Sequence, residues 1–137
     1  MKYFIYSIVA ALFLLNSCKL PESRSKAIKI YNYSKDTIAF TIDGRTYNSN
    51  NPHMFDSLPD IGHYVEMKPN RMFYYEISFP DSFFNNYPDK KTRVYIFSLD
   101  TLNKYTWKEI KKRSNYLRRY ELSREDLDSL NWTITYP

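Results

Sequence analysis

The chain has 137 residues, with 20 basic and 15 acidic side chains and a formal net charge of +5 at pH 7. Hydrophobic residues make up 43% of it, which excludes a disordered polypeptide, and the length suits one domain rather than two. A single cysteine excludes an intramolecular disulfide framework. The chain contains 14 Tyr and 9 Phe beside only 2 Gly, a composition that favours β-strands.

The first eighteen residues have the organisation of an export signal. Met1-Lys2 precedes an apolar run of about thirteen residues, which ends at Leu15-Asn16-Ser17-Cys18. A membrane-spanning helix needs roughly twenty apolar residues, and charged residues follow at once, so we expect a signal peptide. Its ending resembles the lipobox of bacterial lipoproteins. That resemblance implies cleavage before Cys18, diacylglycerol on the Cys18 sulfur and a fatty acid such as palmitate on the new amino terminus.

Lipidation at Cys18 would tether the chain to a membrane of the cell envelope. We expect a signal peptide over residues 1–17, a lipidated cysteine and tether over 18–26, and a single β-rich domain over 27–137. Lys19 directly after the cysteine favours the outer membrane in the enterobacterial sorting scheme, and the sequence leaves periplasmic and surface orientations open. Export separates the chain from cytoplasmic nucleic acid, so no nucleic-acid partner is expected despite the positive charge.

Alternating and aromatic segments predict strands through the first two thirds of the domain. Asp43-Gly44 is the strongest hairpin signal, and Arg45–Tyr47 would begin the returning strand. The longest irregular stretch runs from Asn48 to Gly62, and a second loop is expected over Asp81–Lys91. The predicted strands of this part are Ala27–Tyr33, Thr37–Ile42, His63–Met67, Arg71–Phe79 and Thr92–Leu99.

The pattern changes after Leu99, where two helix starts are visible. Thr106-Trp107-Lys108-Glu109 is a capping box, and Ser123-Arg124-Glu125-Asp126 begins a second short helix in a similar way. Strands are expected at Asn115–Leu122 and Trp132–Tyr136. Together, these segments predict a mainly β, single-domain antiparallel β-sandwich, Ig-like or similar, with two short helices in the C-terminal half. An α+β domain is the alternative.

Four segments of the last third form a recognisable series. They are Tyr95–Thr101, Tyr105–Ile110, Tyr116–Ser123 and Asp126–Pro137. This series resembles the C-terminal part of a family of small lipoproteins from gut Bacteroidota, and Ile30–Ile38 is similar to the first hairpin of the same group. The resemblance implies an envelope location and a single domain, and it supplies no catalytic or binding residues.

Phe83, Phe84 and Tyr87 are the candidate binding residues. On an exposed loop they would form an apolar contact patch, and folded back they would fill the core. The preferred hypothesis is a non-catalytic envelope lipoprotein that binds or assembles with a partner protein. The alternative is a glycan-binding accessory module of a polysaccharide-uptake system, because aromatic rings stack on sugars.

A third hypothesis is a hydrolase or metal-dependent enzyme that uses the loop from His53 to His63. His53, Asp56, Asp60 and His63 place four possible ligands within one short segment. Their spacing matches no helical or thiolate site, so no metal and no cofactor is assigned. The chain also lacks a Gly-x-Ser-x-Gly motif, and a non-enzymatic role is expected.

Basic residues crowd the first of the two predicted helices. Lys108, Lys111, Lys112 and Arg113 are expected to form a solvated face. A contact with a membrane surface or a polyanion is the alternative interpretation.

Overall fold

The computed structural model describes residues 25–43 and 63–137. Within these residues the elements are β1 (Lys26–Asn32), β2 (Ile38–Ile42), β3 (Val65–Met67), β4 (Arg71–Ile77), α1 (Pro80–Asn85), β5 (Lys91–Ser98), α2 (Leu99–Lys104), α3 (Trp107–Arg113), β6 (Arg118–Ser123), α4 (Arg124–Ser129) and β7 (Thr133–Tyr136). The prediction of a mainly β, sandwich-like fold is confirmed.

The strands form two sheets, with the orders β4-β1-β7 and β3-β2-β5-β6. Every pair is antiparallel except β1 with β7, where Lys29 pairs with Thr133 and Asn32 with Tyr136 in parallel. The predicted antiparallel sandwich therefore contains one parallel pair, which the sequence analysis did not predict. Helix α4 returns the chain to the end where β1 begins, so β7 has to run in the same direction as β1. The Lys26 ammonium fixes this junction through a 2.7 Å bond to the Asp128 carboxylate.

The main core lies between the two sheets. Inward residues alternate along β1, where Ile28 and Ile30 are fully buried, as the period of two requires of a strand covered on one face. They meet Phe40 of β2 and Val94 of β5 from the opposite sheet. Burial of these side chains is the main stabilising contribution to the fold.

A second core lies on the outer side of the four-stranded sheet. Ala39, Tyr95 and Phe97 point away from the first core and are covered by Ile110 of α3. Strand β5 is consequently buried without interruption from Thr92 to Phe97, because apolar side chains pack against both of its faces.

Both predicted helix starts are confirmed. In α3 the Thr106 hydroxyl accepts from the Glu109 amide while the Glu109 carboxylate accepts from the Thr106 amide at 2.9 Å. Ser123 and Asp126 form the same reciprocal pair at the start of α4.

The number of helices is a correction, because the described residues contain four rather than two. The segment Asp81–Lys91, expected to be a loop, includes most of α1, which begins at Pro80. Proline ends a strand, but it also suits the first turn of a helix, where its missing N–H is not needed. Helix α2 begins directly after β5, where the Ser98 hydroxyl accepts from the Thr101 amide. Residues 45–47 and 48–62, expected to be a strand and a loop, lie outside the described residues.

The sandwich has two distinct ends. The starts of β1 and β5 lie at one end, together with α1 and α4, and we call this the helical end. The turn at Ser34–Asp36, the start of α2 and the end of β7 lie at the other end.

A side-chain hydrogen bond also joins the two sheets along one side of the sandwich. The Tyr120 hydroxyl of β6 donates to the Thr135 carbonyl oxygen of β7 at 3.1 Å.

Candidate binding surface

The structure places the predicted binding residues Phe84 and Tyr87 in the interior. Each is only 3% exposed, and the Phe84 ring lies 6.3 Å from the ring of Trp132. Phe83 is half buried, with its ring 6.4 Å from that of Tyr75. The prediction of an exposed contact patch is therefore wrong for Phe84 and Tyr87, and the alternative of a core-filling segment describes them. Helix α1 is the physical reason, because it turns its aromatic residues toward the sandwich.

Tyr87 connects the segment after α1 to the end of β2. Its hydroxyl donates to the carbonyl oxygen of Asp43, and both residues are buried. Burial, followed by the nearby Asp43 carboxylate, raises the pKa of the Tyr87 hydroxyl above its ordinary value. Nearby, the guanidinium of buried Arg93 pairs with Asp89 and donates to the Lys91 carbonyl at 3.0 Å. These contacts hold the end of β2, the segment after α1 and the start of β5 together at the helical end.

The candidate metal ligands lie only partly within the described residues. His63 is exposed just before β3, whereas His53, Asp56 and Asp60 lie outside the described residues, as does Cys18. Among residues 25–43 and 63–137, no three His, Cys, Asp or Glu side chains are grouped closely enough to hold a metal ion.

An exposed aromatic surface lies on the outer side of the three-stranded sheet, and we call it the tyrosine face. It comprises half-buried Tyr31 of β1, Tyr33 directly after β1, and Met72 and Tyr74 of β4. Tyr33 and Tyr74 are 65% and 59% exposed. The rings of Tyr31 and Tyr33 lie 5.8 Å apart, and the register sets Tyr31 directly opposite Met72.

Polar residues border the tyrosine face. Lys29 lies between Tyr74 of β4 and Thr133 of β7, and Thr135 flanks Tyr31 on the other side. The face therefore combines large apolar rings with hydroxyl and ammonium donors at its rim, as protein interfaces do. Alternation along β4 places Tyr74 outward and Tyr75 against the core. The clustering with Tyr31 and Tyr33 depends on the strand register, which local sequence patterns do not specify.

A cleft of about 560 Å³ opens at the end of the sandwich opposite the helical end. The side chain of Asn32 fixes the turn beside it, donating to the Asp36 carbonyl at 2.8 Å and accepting from the Ser34 hydroxyl at 2.6 Å. The cleft is lined by Ser34, Asp36, Thr37, Ile38, Ser98, Leu99, Asp100, Leu117, Tyr136 and Pro137. The lining supplies the carboxylates of Asp36 and Asp100 and the hydroxyls of Ser34, Thr37 and Ser98 as polar groups that can take part in hydrogen bonds.

The basic residues predicted for the first helix are on α3 as expected. Lys108, Lys112 and Arg113 are exposed and Lys111 is half buried. Within the described residues, no helix has the length and apolar character needed to cross a membrane.

Comparison of the chain with protein-family models, with curated proteins and with solved structures finds no match. The proposed function therefore rests on the surfaces of the domain.

Proposed function

We propose that this chain is a lipid-anchored envelope protein whose β domain is non-catalytic and binds a partner protein through the tyrosine face. The observation that carries the proposal is the cluster on one outer face of exposed Tyr33, Met72 and Tyr74 with half-buried Tyr31. Tyrosine and methionine are enriched where proteins bind each other, and energetically important residues are commonly aromatic. A tether at Cys18 would supply the location, with the outer membrane favoured by Lys19.

The partner surface is best tested by photo-crosslinking in living native cells. A photo-reactive amino acid replaces Tyr74 in one strain and Phe79 in another. Phe79 is a suitable control because it is also strongly exposed but lies beyond the end of β4. We expect one dominant crosslinked envelope protein from position 74 and none of that protein from position 79. Equal products from both positions would contradict a specific face.

A matched pair of triple variants tests whether the face is needed for capture. The test variant is Tyr33→Ser, Met72→Ser and Tyr74→Ser. The control removes three exposed apolar residues elsewhere, in Phe79→Ser, Leu117→Ser and Leu130→Ser. The test variant should lose the partner and keep a cooperative unfolding transition, and the control should keep both. Retention of the partner by the test variant would reject the face as the binding surface.

The anchor is tested separately. Mass spectrometry of the amino-terminal peptide should show a diacylglyceryl and an acyl group on Cys18, and Cys18→Ala should abolish both additions. An unmodified Cys18 peptide from native membranes would reject the anchor without bearing on the tyrosine face.

Glycan binding is a second candidate for the same face, because Tyr31 pairs with exposed Thr135 of β7. Aromatic rings can stack on the apolar faces of sugars while hydroxyls bond to their edges. Calorimetric titration against a panel of polysaccharides is the appropriate test. Tryptophan fluorescence is unsuitable, since Trp107 packs on the opposite sheet and Trp132 is buried. Heat of binding lost in the Tyr33/Met72/Tyr74 variant would favour a glycan over a protein partner.

A further inference from the structure

The outer surface of α2 and α3 is strongly basic. Residues 99–113 contain five basic side chains and two acidic ones, Asp100 and Glu109. The basic members are Lys104, Lys108, Lys111, Lys112 and Arg113, and all but Lys111 are exposed. We call this set the basic helical surface.

The fold directs these charges away from the core. Ile110 is buried against the four-stranded sheet, and the Trp107 ring packs 5.6 Å from that of Phe97. With this side of α3 committed to the sheet, Lys108 and Lys112, one turn apart, project together on the other side.

Two of the cations share one aromatic ring. The Lys104 ammonium lies 5.4 Å and the Arg113 guanidinium 5.0 Å from the centre of the Tyr105 ring. Cation–π attraction thus holds two like charges, from two different helices, beside one another. Two like charges held this close repel each other. An anionic partner bound beside them would relieve that repulsion, so the arrangement suits a positive surface that binds anions.

Helix stability explains only some of these charges. Lys111, Lys112 and Arg113 occupy the last turn of α3, where cations complement the helix dipole. Lys108 instead lies in the first turn, where a cation is unfavourable. The Glu109 carboxylate caps the start of α3, where it accepts hydrogen bonds from the amide and hydroxyl of Thr106 at 2.9 Å. Those hydrogen bonds lower the pKa of Glu109.

We propose that the basic helical surface binds the anionic lipid headgroups of a membrane. Clusters of four to eight basic residues on an amphipathic helix suit such contacts, and each cation near the surface strengthens binding about fivefold at low salt. If Cys18 is lipidated, the contact would also orient the domain on the membrane. This orientation alone depends on the proposed function. The tether from Cys18 to Ser25 spans at most about 28 Å when extended, which keeps a domain of this size close to the headgroups.

The test uses the full chain with Cys18→Ser, so that no lipid anchor contributes. Co-sedimentation is measured with vesicles of phosphatidylcholine alone and with vesicles containing about 30% phosphatidylglycerol. The ratio of the two binding constants isolates the charge-dependent part, because apolar residues 3–15 contribute to both. We expect a ratio well above ten at low salt, falling toward one at high salt, where charges are screened.

Two variants with the same loss of charge locate the contact. Lys104→Gln, Lys108→Gln and Lys112→Gln should lower the ratio roughly 100-fold or to one. The control, Lys35→Gln, Lys68→Gln and Lys90→Gln, removes three exposed lysines elsewhere and should leave it within about threefold. Thermal unfolding confirms that both remain folded.

Three results would overturn the proposal. The first is a ratio near one for the parent chain, and the second is an equal loss in both variants, which would indicate net charge alone. The third is release by inorganic phosphate beyond that caused by chloride at equal ionic strength, which would indicate a discrete phosphate site. None of these measurements involves Cys18 lipidation or the tyrosine face, so failure here is distinct from failure of the proposed function.

Discussion

The two sheets of the domain treat their outer faces in opposite ways. The four-stranded sheet covers Ala39, Tyr95 and Phe97 with α3, whereas the three-stranded sheet leaves Met72 and Tyr74 exposed. Both outer faces carry aromatic residues, so composition alone does not separate them. What separates them is the insertion of two helices between β5 and β6, which turns one outer face into core. An aromatic residue on an outer face of the sandwich therefore stabilises the fold or remains available for binding according to which sheet holds it.

The largest expected effect comes from the covered face. Phe97→Ala should lower the free energy of unfolding by about 4–5 kcal/mol, because the ring is fully buried beneath Trp107 and its loss leaves a cavity. Tyr74→Ala, on the exposed face, should change it by no more than about 0.5 kcal/mol. Urea denaturation of both variants measures the difference. Similar losses in the two variants would remove the distinction between the faces.

The same comparison applies to the segment around α1. Phe84→Ala should cost about 3–4 kcal/mol, since the ring lies among the core residues with Trp132. Phe79→Ala, at the exposed residue just before the helix, should cost about 0.5 kcal/mol or less. Denaturant-induced unfolding of the two variants measures these losses. A near-neutral Phe84 variant would restore the exposed-patch interpretation.

At alkaline pH, the buried hydroxyl of Tyr87 should make the free energy of unfolding depend on pH. The raised pKa of Tyr87 means that its contribution to stability is complete below pH 10, the ordinary pKa of tyrosine, and is lost as pH rises toward the higher value of the folded state. Relative to Tyr87→Phe, the parent should lose about 1.4 kcal/mol per pH unit above pH 10. Unfolding measured from pH 8 to 11 gives the two slopes. Parallel slopes would show that the hydroxyl is not held in its neutral form.

A smaller effect is expected where the cover of the four-stranded sheet begins. Thr106→Ala removes the hydroxyl that caps α3 and should lower the free energy of unfolding by about 1 kcal/mol. Thr106→Ser keeps the hydroxyl and should restore most of it. Thermal melts of the three proteins, together with the near-ultraviolet signal of Trp107, report the change. If serine fails to restore stability, the hydroxyl is not the cause.

The smallest effect is at acid pH. Hydrogen bonds from Thr106 lower the pKa of Glu109, so its stabilising contribution is present above the ordinary glutamate pKa of about 4.3 and is lost as pH falls through the lower folded value. Glu109→Gln should therefore reduce the acid sensitivity of unfolding between about pH 5 and pH 3. Unchanged acid sensitivity in this variant would contradict the capping role of the carboxylate.

Sequence patterns predicted the elements that are determined locally. The capping boxes at Thr106 and Ser123 specify their helices within four residues. Helix α1 was missed because Asp81–Lys91 was expected to be a loop. A proline followed by acidic Asp81, with aromatic residues spaced at 83, 84 and 87, also fits a helix start with one apolar side.

The candidate surface could be predicted only in part. The tyrosine face requires the register of β1 with β4, a contact between residues distant in sequence. The parallel pairing of β7 with β1 is equally non-local. Cation–π contacts at Tyr105 depend on how α2 meets α3, whereas the concentration of lysine on α3 was visible in the sequence.

The parallel pair of first and last strands has a consequence for the order of assembly. Strand β1 is central in its sheet, and β7 is one of its two neighbours, so this sheet is incomplete until residues 133–136 have been synthesised. Contacts between the ends of a chain form slowly, because a long loop must close first. A nascent chain missing only its final strand would still lack Ile134 from the core. If the chain is exported as proposed, such a delay would favour an unfolded state that can pass a translocation channel until the whole domain has crossed.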